Sequence, residues 1–254
     1  MKQYLTPLFP LLASLSIAIA LMACAGPGEP EPSAAESNSS GSSSSRAFTL
    51  SRAQFEQLFP DRIPFYTYEG LVAAAVAYPA FANSGDVQRD RQEMAAFLAN
   101  LMQESDSLRA VREYNKALHD QYCRQGPNES CAPGQQYYGR GPIQLSWNYN
   151  YLAAGKALGL DLWGNPELVA TNATVAWQTA LWYWMSQTGP SLMTPHEAIG
   201  RGAGFGATIR AINGVIECDK PNDARAQRHL ADRLAYYTRT TRVLDVPMGP
   251  NLGC

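Results

Sequence analysis

A mainly helical, loop-rich domain is what the sequence predicts, and three observations carry that reading. Apolar residues recur at helix-face spacing in several segments, cap residues stand where those segments begin, and sustained strand-like alternation is scarce. With 254 residues and 46% hydrophobic side chains, the chain can bury a globular core. Ser51 and Gln54 form a capping box that opens a short first helix. Thr67 caps a second helix in "YEGLVAAAVAY" (68–78), which stops before Pro79. A third spans 90–104, "DRQEMAAFLANLMQE", with Met94, Phe97, Leu98 and Leu101 on one stripe. Further helices are expected near 148–158, 173–187 and 223–240. Between 125 and 142 glycine and proline punctuate a long loop.

The N-terminal segment has a different character. Lys2 precedes an apolar run at 11–23, which suits a secretory signal and falls short of the ~20 residues a membrane span needs. The run ends in Leu21-Met22-Ala23-Cys24, similar to a bacterial lipoprotein box in which Cys24 becomes the lipidated first residue. Residues 25–46, rich in serine and proline, cannot bury enough surface to offset their ordering entropy and read as a flexible tether. The expected organisation is a signal peptide at 1–23, a lipidated Cys24 with its linker at 24–46, and one folded domain at 47–254. That describes an exported, membrane-anchored monomer; plain secretion is the alternative. A net charge of -2 with scattered Lys and Arg offers no basic face for nucleic acid.

Setting Cys24 aside leaves an even number of cysteines, which in an exported chain favours disulfides over metal ligation. Cys123 and Cys131 flank a turn-rich loop and are paired. Cys218 then joins Cys254, closing a long loop that contributes ~3–4 kcal/mol. His119, His196 and His229 are too dispersed for a zinc site, and His196 reads as a loop or capping residue. Gly202, Gly204 and Gly206 lack the strand and the spacing of a dinucleotide fingerprint.

Two carboxylates draw the chemistry. Glu104 continues the apolar stripe of the third helix and lies near its C-terminus, so burial and the helix dipole both raise its pKa, as a general acid requires. Glu113 follows across a short polar segment, where it can face Glu104 over a groove. The stretch "YYGRGPIQLSWNYNY" (137–151) adds a third feature. In an extended backbone Ile143 and Leu145 point to the core while Gln144 and Ser146 point the other way. Tyr137, Tyr138, Trp147, Tyr149 and Tyr151 offer flat apolar faces, and Asn148 and Asn150 offer amides. Sugar rings, with apolar C–H faces edged by hydroxyl and amide groups, match that combination. Trp177, Leu181 and Trp184 follow helical spacing and read as core.

This stretch closely resembles the corresponding segment of the family 19 glycoside hydrolases, the chitinases of plants and bacteria. The resemblance continues through "CAPG" (131–134), "ALGLDLWGNPELVATNATVAWQTALWYWM" (157–185), "GFGATIRAINGVIEC" (204–218) and "NLGC" (251–254), and so covers the domain from about residue 65 onward. It implies a lysozyme-like fold with a substrate cleft, no metal or organic cofactor, and a chitin-like polymer of N-acetylglucosamine as substrate. The implied activity is endo-acting hydrolysis of β-1,4 bonds with inversion. By the same resemblance Glu104 is the general acid, Glu113 the general base and Ser146 the hydroxyl that holds the attacking water. Gln144, Tyr149, Asn150 and Asn213 line the sugar sites, while Glu217 and Arg233 form a charged network behind them. Where the family has His-Glu-Thr-Gly-Gly, this chain has Gln103-Glu104-Ser105-Asp106-Ser107. Asp106 is expected to place a like charge beside Glu104 and raise its pKa further. The alternatives are a peptidoglycan-cleaving relative and a glycan-binding protein whose catalysis has decayed.

Overall fold

The architecture is known from a computed structural model, which describes residues 48–126 and 130–254. The expected signal segment, Cys24 and its linker lie outside the described residues. Helix α1 (Arg52–Leu58) opens at the Ser51 capping box and α2 (Tyr68–Ala75) at Thr67, both as the sequence predicts. Helix α3 (Val87–Glu104) starts earlier than expected because Asp86 accepts from Arg89 N and caps it. Asp90, the expected first residue, is instead buried and accepts from Ser84 N and Oγ, both at 2.6 Å.

After a short 3₁₀ turn at Lys116–Gln121 come α4 (Asn148–Leu158), α5 (Leu168–Thr171) and α6 (Ala173–Ser186). Helices α7 (Pro195–Gly200), α8 (Phe205–Asn213) and α9 (Ala224–Val243) complete the order. Among the described residues, β-structure is limited to isolated bridges, such as Arg112 with Arg140 and Arg140 with Leu145. The fold is the mainly helical, loop-rich one expected. Sequence reasoning missed α5, α7 and α8. Glycines flanking α8 read as loop, although Phe205, Ile209 and Ile212 keep helical spacing. Helix α7 announces itself through a capping box, Thr194 with Glu197, and Pro195 at its first position. His196 therefore sits in a helix, a correction to its loop assignment. Its Nδ1 meets the buried Glu93 carboxylate at 2.6 Å, and that hydrogen bond raises the imidazole pKa.

Helix α3 is the axis of the core. It packs along α9 and meets α7 and α8, while α2 lies on α6. Phe97 sits edge-on between Phe81 and Trp184, with ring centroids 4.9 and 5.3 Å away. Trp177, Leu181 and Trp184 are fully buried, as read from their spacing. Each large apolar side chain buried this way contributes about 1.5–3 kcal/mol. Cys123 is bonded to Cys131 and Cys218 to Cys254, the pairing expected, with Cα atoms 6.0 and 5.2 Å apart. Among the described residues no helix is long and apolar enough to cross a membrane.

Candidate active site

The stripe of α3 delivers Glu104 to the interior at the helix C-terminus, where the side chain keeps 14% exposure. Helices α8 and α9 meet it there. Arg233, fully buried on α9, donates through Nη2 to Glu104 Oε1 and through Nε and Nη2 to the Glu217 oxygens at 2.7 and 2.8 Å. Its Nη1 donates to Asn100 Oδ1 at 2.9 Å. Asn213 Nδ2 donates to Glu217 Oε1 at 3.0 Å and reaches Glu104 Oε1 at 3.4 Å. One guanidinium thus serves two buried carboxylates. With both ionised the cluster holds a net negative charge away from water, and a proton on Glu104 removes it. Burial accordingly raises the Glu104 pKa; Arg233 opposes the rise and Glu217 adds to it.

The like charge expected from Asp106 does not act on Glu104. Asp106 Oδ1 accepts from Arg109 Nη2 at 2.5 Å and Oδ2 from the Tyr114 hydroxyl at 3.1 Å, so its charge is matched on the outer side. The backbone here is unusual: Asp106, Ser107 and Leu108 have φ of 51°, 57° and 64° in succession. Glycine adopts this left-handed conformation freely, whereas Asp and Ser bear a cost. Ser105 pins the turn, donating to Leu101 O at 2.6 Å and accepting from Leu108 N at 3.0 Å. Relief of ~1–2 kcal/mol of left-handed strain exceeds the ~0.4–1 kcal/mol of unfolded-chain entropy that a glycine adds. Ser107→Gly should therefore raise stability by about 0.5–1 kcal/mol, read as a Tm gain of about 2 °C; a lower Tm would refute the account.

The segment carrying Glu113 is held by backbone bonds, Glu113 N to Gly139 O and Gly141 N to Val111 O, both 2.8 Å. Glu113 Oε1 accepts from the Tyr122 hydroxyl at 3.1 Å. Burial first, and then that carboxylate, push the tyrosine pKa up to about 12. Glu113 Oε2 is buried and has no hydrogen-bond partner among the described residues.

Beside Glu113, the stretch around Ser146 corrects one expectation. The backbone is not extended: Gln144 and Trp147 have φ of 51° and 76°, and a tight turn brings Leu145 back against Arg140. Ile143 and Leu145 are buried as predicted and Gln144 and Ser146 are partly exposed, but all four reach the cleft wall. Ser146 Oγ donates to Gln144 O at 2.8 Å, and Asn150 Nδ2 donates to Ser146 O at 2.9 Å. A Cβ at Gly139 would lie 2.7 Å from Gln144 Oε1 and 3.2 Å from Gln144 Cβ, so a larger residue there would displace the Gln144 side chain. Of the aromatic residues, Tyr137, Tyr138 and Tyr151 belong to the core. Trp147 stacks on Tyr149 at 6.0 Å and meets Tyr122 edge-on at 5.4 Å. Asn148, expected to offer its amide to a ligand, is buried and ties the disulfide loop instead, through Arg124 N and O at 2.9 and 2.8 Å.

Glu104, Glu113, Gln144, Ser146, Tyr149, Asn150 and Asn213 all line one open cleft of about 970 Å³. Glu217 and Arg233 stand behind it. Sequence reasoning missed Asn100, Tyr122 and Tyr183. Asn100 lies one helical turn before Glu104 on the same face, a spacing that could have found it. Tyr183 lines the cleft with its hydroxyl on Ala211 O at 3.1 Å. Among the described residues no three His, Cys, Asp or Glu side chains gather as metal ligands do.

A family model described as chitinase class I, glycoside hydrolase family 19, matches residues 50–254. Chitinase C from Streptomyces griseus HUT6037 superposes with a TM-score of 0.77 at 51% identity, over 82% of this chain and 81% of that one. The class IV chitinase from Zea mays gives 0.70 at 37% identity, over 81% of this chain and 98% of that one. An endochitinase from Phaseolus vulgaris is 39% identical over 237 residues, covering 81% of this chain and 70% of its own. Sequence, fold and cleft agree: the chain belongs to the family 19 glycoside hydrolases.

Proposed function

We propose that this enzyme is an endochitinase that hydrolyses β-1,4 bonds between N-acetylglucosamine units by a single displacement with inversion. The observation that carries the reading is that two carboxyl groups in unlike surroundings line one cleft together with Ser146. Glu104, whose pKa burial raises, gives a proton to the glycosidic oxygen as the bond breaks. Glu113 takes a proton from water, its carboxylate held in place by the Tyr122 hydroxyl on Oε1. Ser146 spends its own proton on Gln144 O, so its lone pairs accept the second hydrogen of that water. The water attacks the anomeric carbon on the face opposite the leaving oxygen as an oxocarbenium-like state forms. Inversion of this kind needs the carboxyl groups ~6.5–9.5 Å apart. Gln144, Asn150 and Asn213 offer amides to the sugar substituents, and Tyr149 offers a ring face.

The test is the anomer released first from a chitin oligosaccharide, read by rapid chromatography or NMR. The α-anomer is expected, and β-anomer first would overturn the reading. Glu113→Gln should lower kcat by roughly 10²–10³-fold. Ser146→Ala, which removes one hydrogen bond worth about 1 kcal/mol, should cost roughly 5–10-fold.

We further propose that Cys24 is lipidated and that 25–46 tethers the enzyme to a membrane surface as a monomer; Leu21-Met22-Ala23-Cys24 supports this. Cys24→Ser should release the protein from the membrane fraction or block its processing. Mass spectrometry that finds an unmodified N-terminus beyond Cys24 would defeat the idea.

A further inference from the structure

The structure assigns a positioning role to Glu167, a residue outside the cleft at the N-terminal edge of α5. The inference rests on reading Glu113 as the base, because Glu167 acts on the residue before it. Arg112 faces Arg140 across an isolated antiparallel bridge. Directly opposed residues of such a pair project from the same face, and like charges placed there repel. Glu167 answers both. Arg112 Nε donates to Glu167 Oε1 at 2.9 Å with Nη2 on the same oxygen, and Arg140 Nε donates to Oε2 at 3.1 Å. Burial favours the neutral carboxyl, but the hydrogen bonds and charges of Arg112 and then Arg140 outweigh it, and the Glu167 pKa is lowered.

The two arginines are not held alike. Arg140 has a side chain only 4% exposed, fixed by Gln136 O at 2.9 Å, by the Tyr151 hydroxyl at 3.0 Å and by the Tyr138 ring at 3.6 Å. Arg112 is 43% exposed, with Glu167 as its ion-pair partner and the Tyr138 hydroxyl as a further, weaker contact. Without that carboxylate, the repulsion moves the looser partner. Arg112 then carries Glu113 with it, since the two are adjacent in the segment that pairs with 139–141. The same Arg140 backbone bonds Leu145 on its other side, at 3.2 and 2.9 Å, next to Ser146. One carboxylate outside the cleft thus fixes the register between the base and the hydroxyl that holds its water. The acid, on α3 and braced by α9, is untouched.

The experiment compares Glu167→Gln, the double variant Arg112→Gln/Glu167→Gln and Glu113→Gln in steady-state kinetics on a chitin hexasaccharide, each with a thermal melt. Glu167→Gln should lower kcat ~10–100-fold, as a misplacement of about 1 Å does, with KM within ~2-fold. The double variant, which removes one of the opposed cations, should return kcat to within ~5-fold of wild type, a non-additivity that lost stability alone does not produce. A Glu167→Gln enzyme with wild-type kcat, or a double variant as slow as the single one, overturns the inference. Should Glu167→Gln not fold, a folded and active double variant supports the inference, and an unfolded one overturns it. Glu113→Gln separates the two readings. If it keeps wild-type kcat, the base assignment falls and this inference with it. If it collapses while Glu167→Gln does not, only this inference falls.

Discussion

Glu104→Gln should lower kcat on chitin oligosaccharides by roughly 10³–10⁴-fold, the upper part of what general acid catalysis supplies. The leaving oxygen departs poorly without a proton, and a glutamine amide has none to give. Oligosaccharide affinity should change little, because the isostere still accepts from Asn213 and Arg233 as the carboxyl does. The substitution also has a stability sign. Burial raises the folded-state pKa of Glu104, so the folded protein binds a proton that the unfolded chain has released. Stability therefore falls as pH rises from the ordinary carboxylate range through the raised value. Glutamine, which mimics the protonated acid, removes that loss, so at neutral pH the variant should be at least as stable as wild type. Stopped assays with isothermal binding and urea titrations check all of this. Wild-type turnover in Glu104→Gln would remove the residue from the mechanism.

Arg233→Met should destabilise the fold by about 3–5 kcal/mol, the range for removing one partner of a buried ion pair. Glu217 is 1% exposed, and without Arg233 it keeps Asn213 at 3.0 Å and the half-exposed His229 at 3.7 Å. Neither replaces a guanidinium bonded to both its oxygens. The loss falls on the packing of α3 against α9, since Arg233 also donates to Asn100. Adding Glu217→Gln should restore part of the stability by removing the stranded charge. Urea denaturation of the three variants measures this, and a loss below about 1 kcal/mol for Arg233→Met would show that the pair is not held as described.

Much of this was legible in the sequence, where local rules decide the outcome. Ser51 and Thr67 cap the helices they were expected to cap, and the Met94–Leu101 stripe is buried. That stripe also made Glu104 legible, because a carboxylate that continues an apolar face is carried inward by the helix itself. Glu113 was harder, since nothing periodic marks it, and Ser146 was marked only by its alternation with Ile143 and Leu145; the roles of both needed the family resemblance. Asp106 misled, because its partners Arg109 and Tyr114 are set by a left-handed turn that composition does not announce. Asn148 misled for a similar reason. Its amide serves a loop whose course is fixed by the Cys123–Cys131 bond. Asn100 was missed because an asparagine on a buried stripe reads as a packing exception until α9 brings Arg233 to it.

The way the two walls of the cleft are built bears on how they fluctuate. Glu104 ends a long helix packed through the core, and its partners come from α8 and α9, so displacing it requires loosening that core. Glu113 hangs on two backbone bonds to 139–141 within a segment of loops and isolated bridges. Native-state hydrogen exchange distinguishes such cases, since protection in packed helices follows global unfolding while bridged loops open locally. The amides of Glu113 and Gly141 therefore exchange by small excursions that leave those of α3 protected. Motion in this cleft therefore belongs to the wall that carries Glu113, and Glu104 is its fixed point.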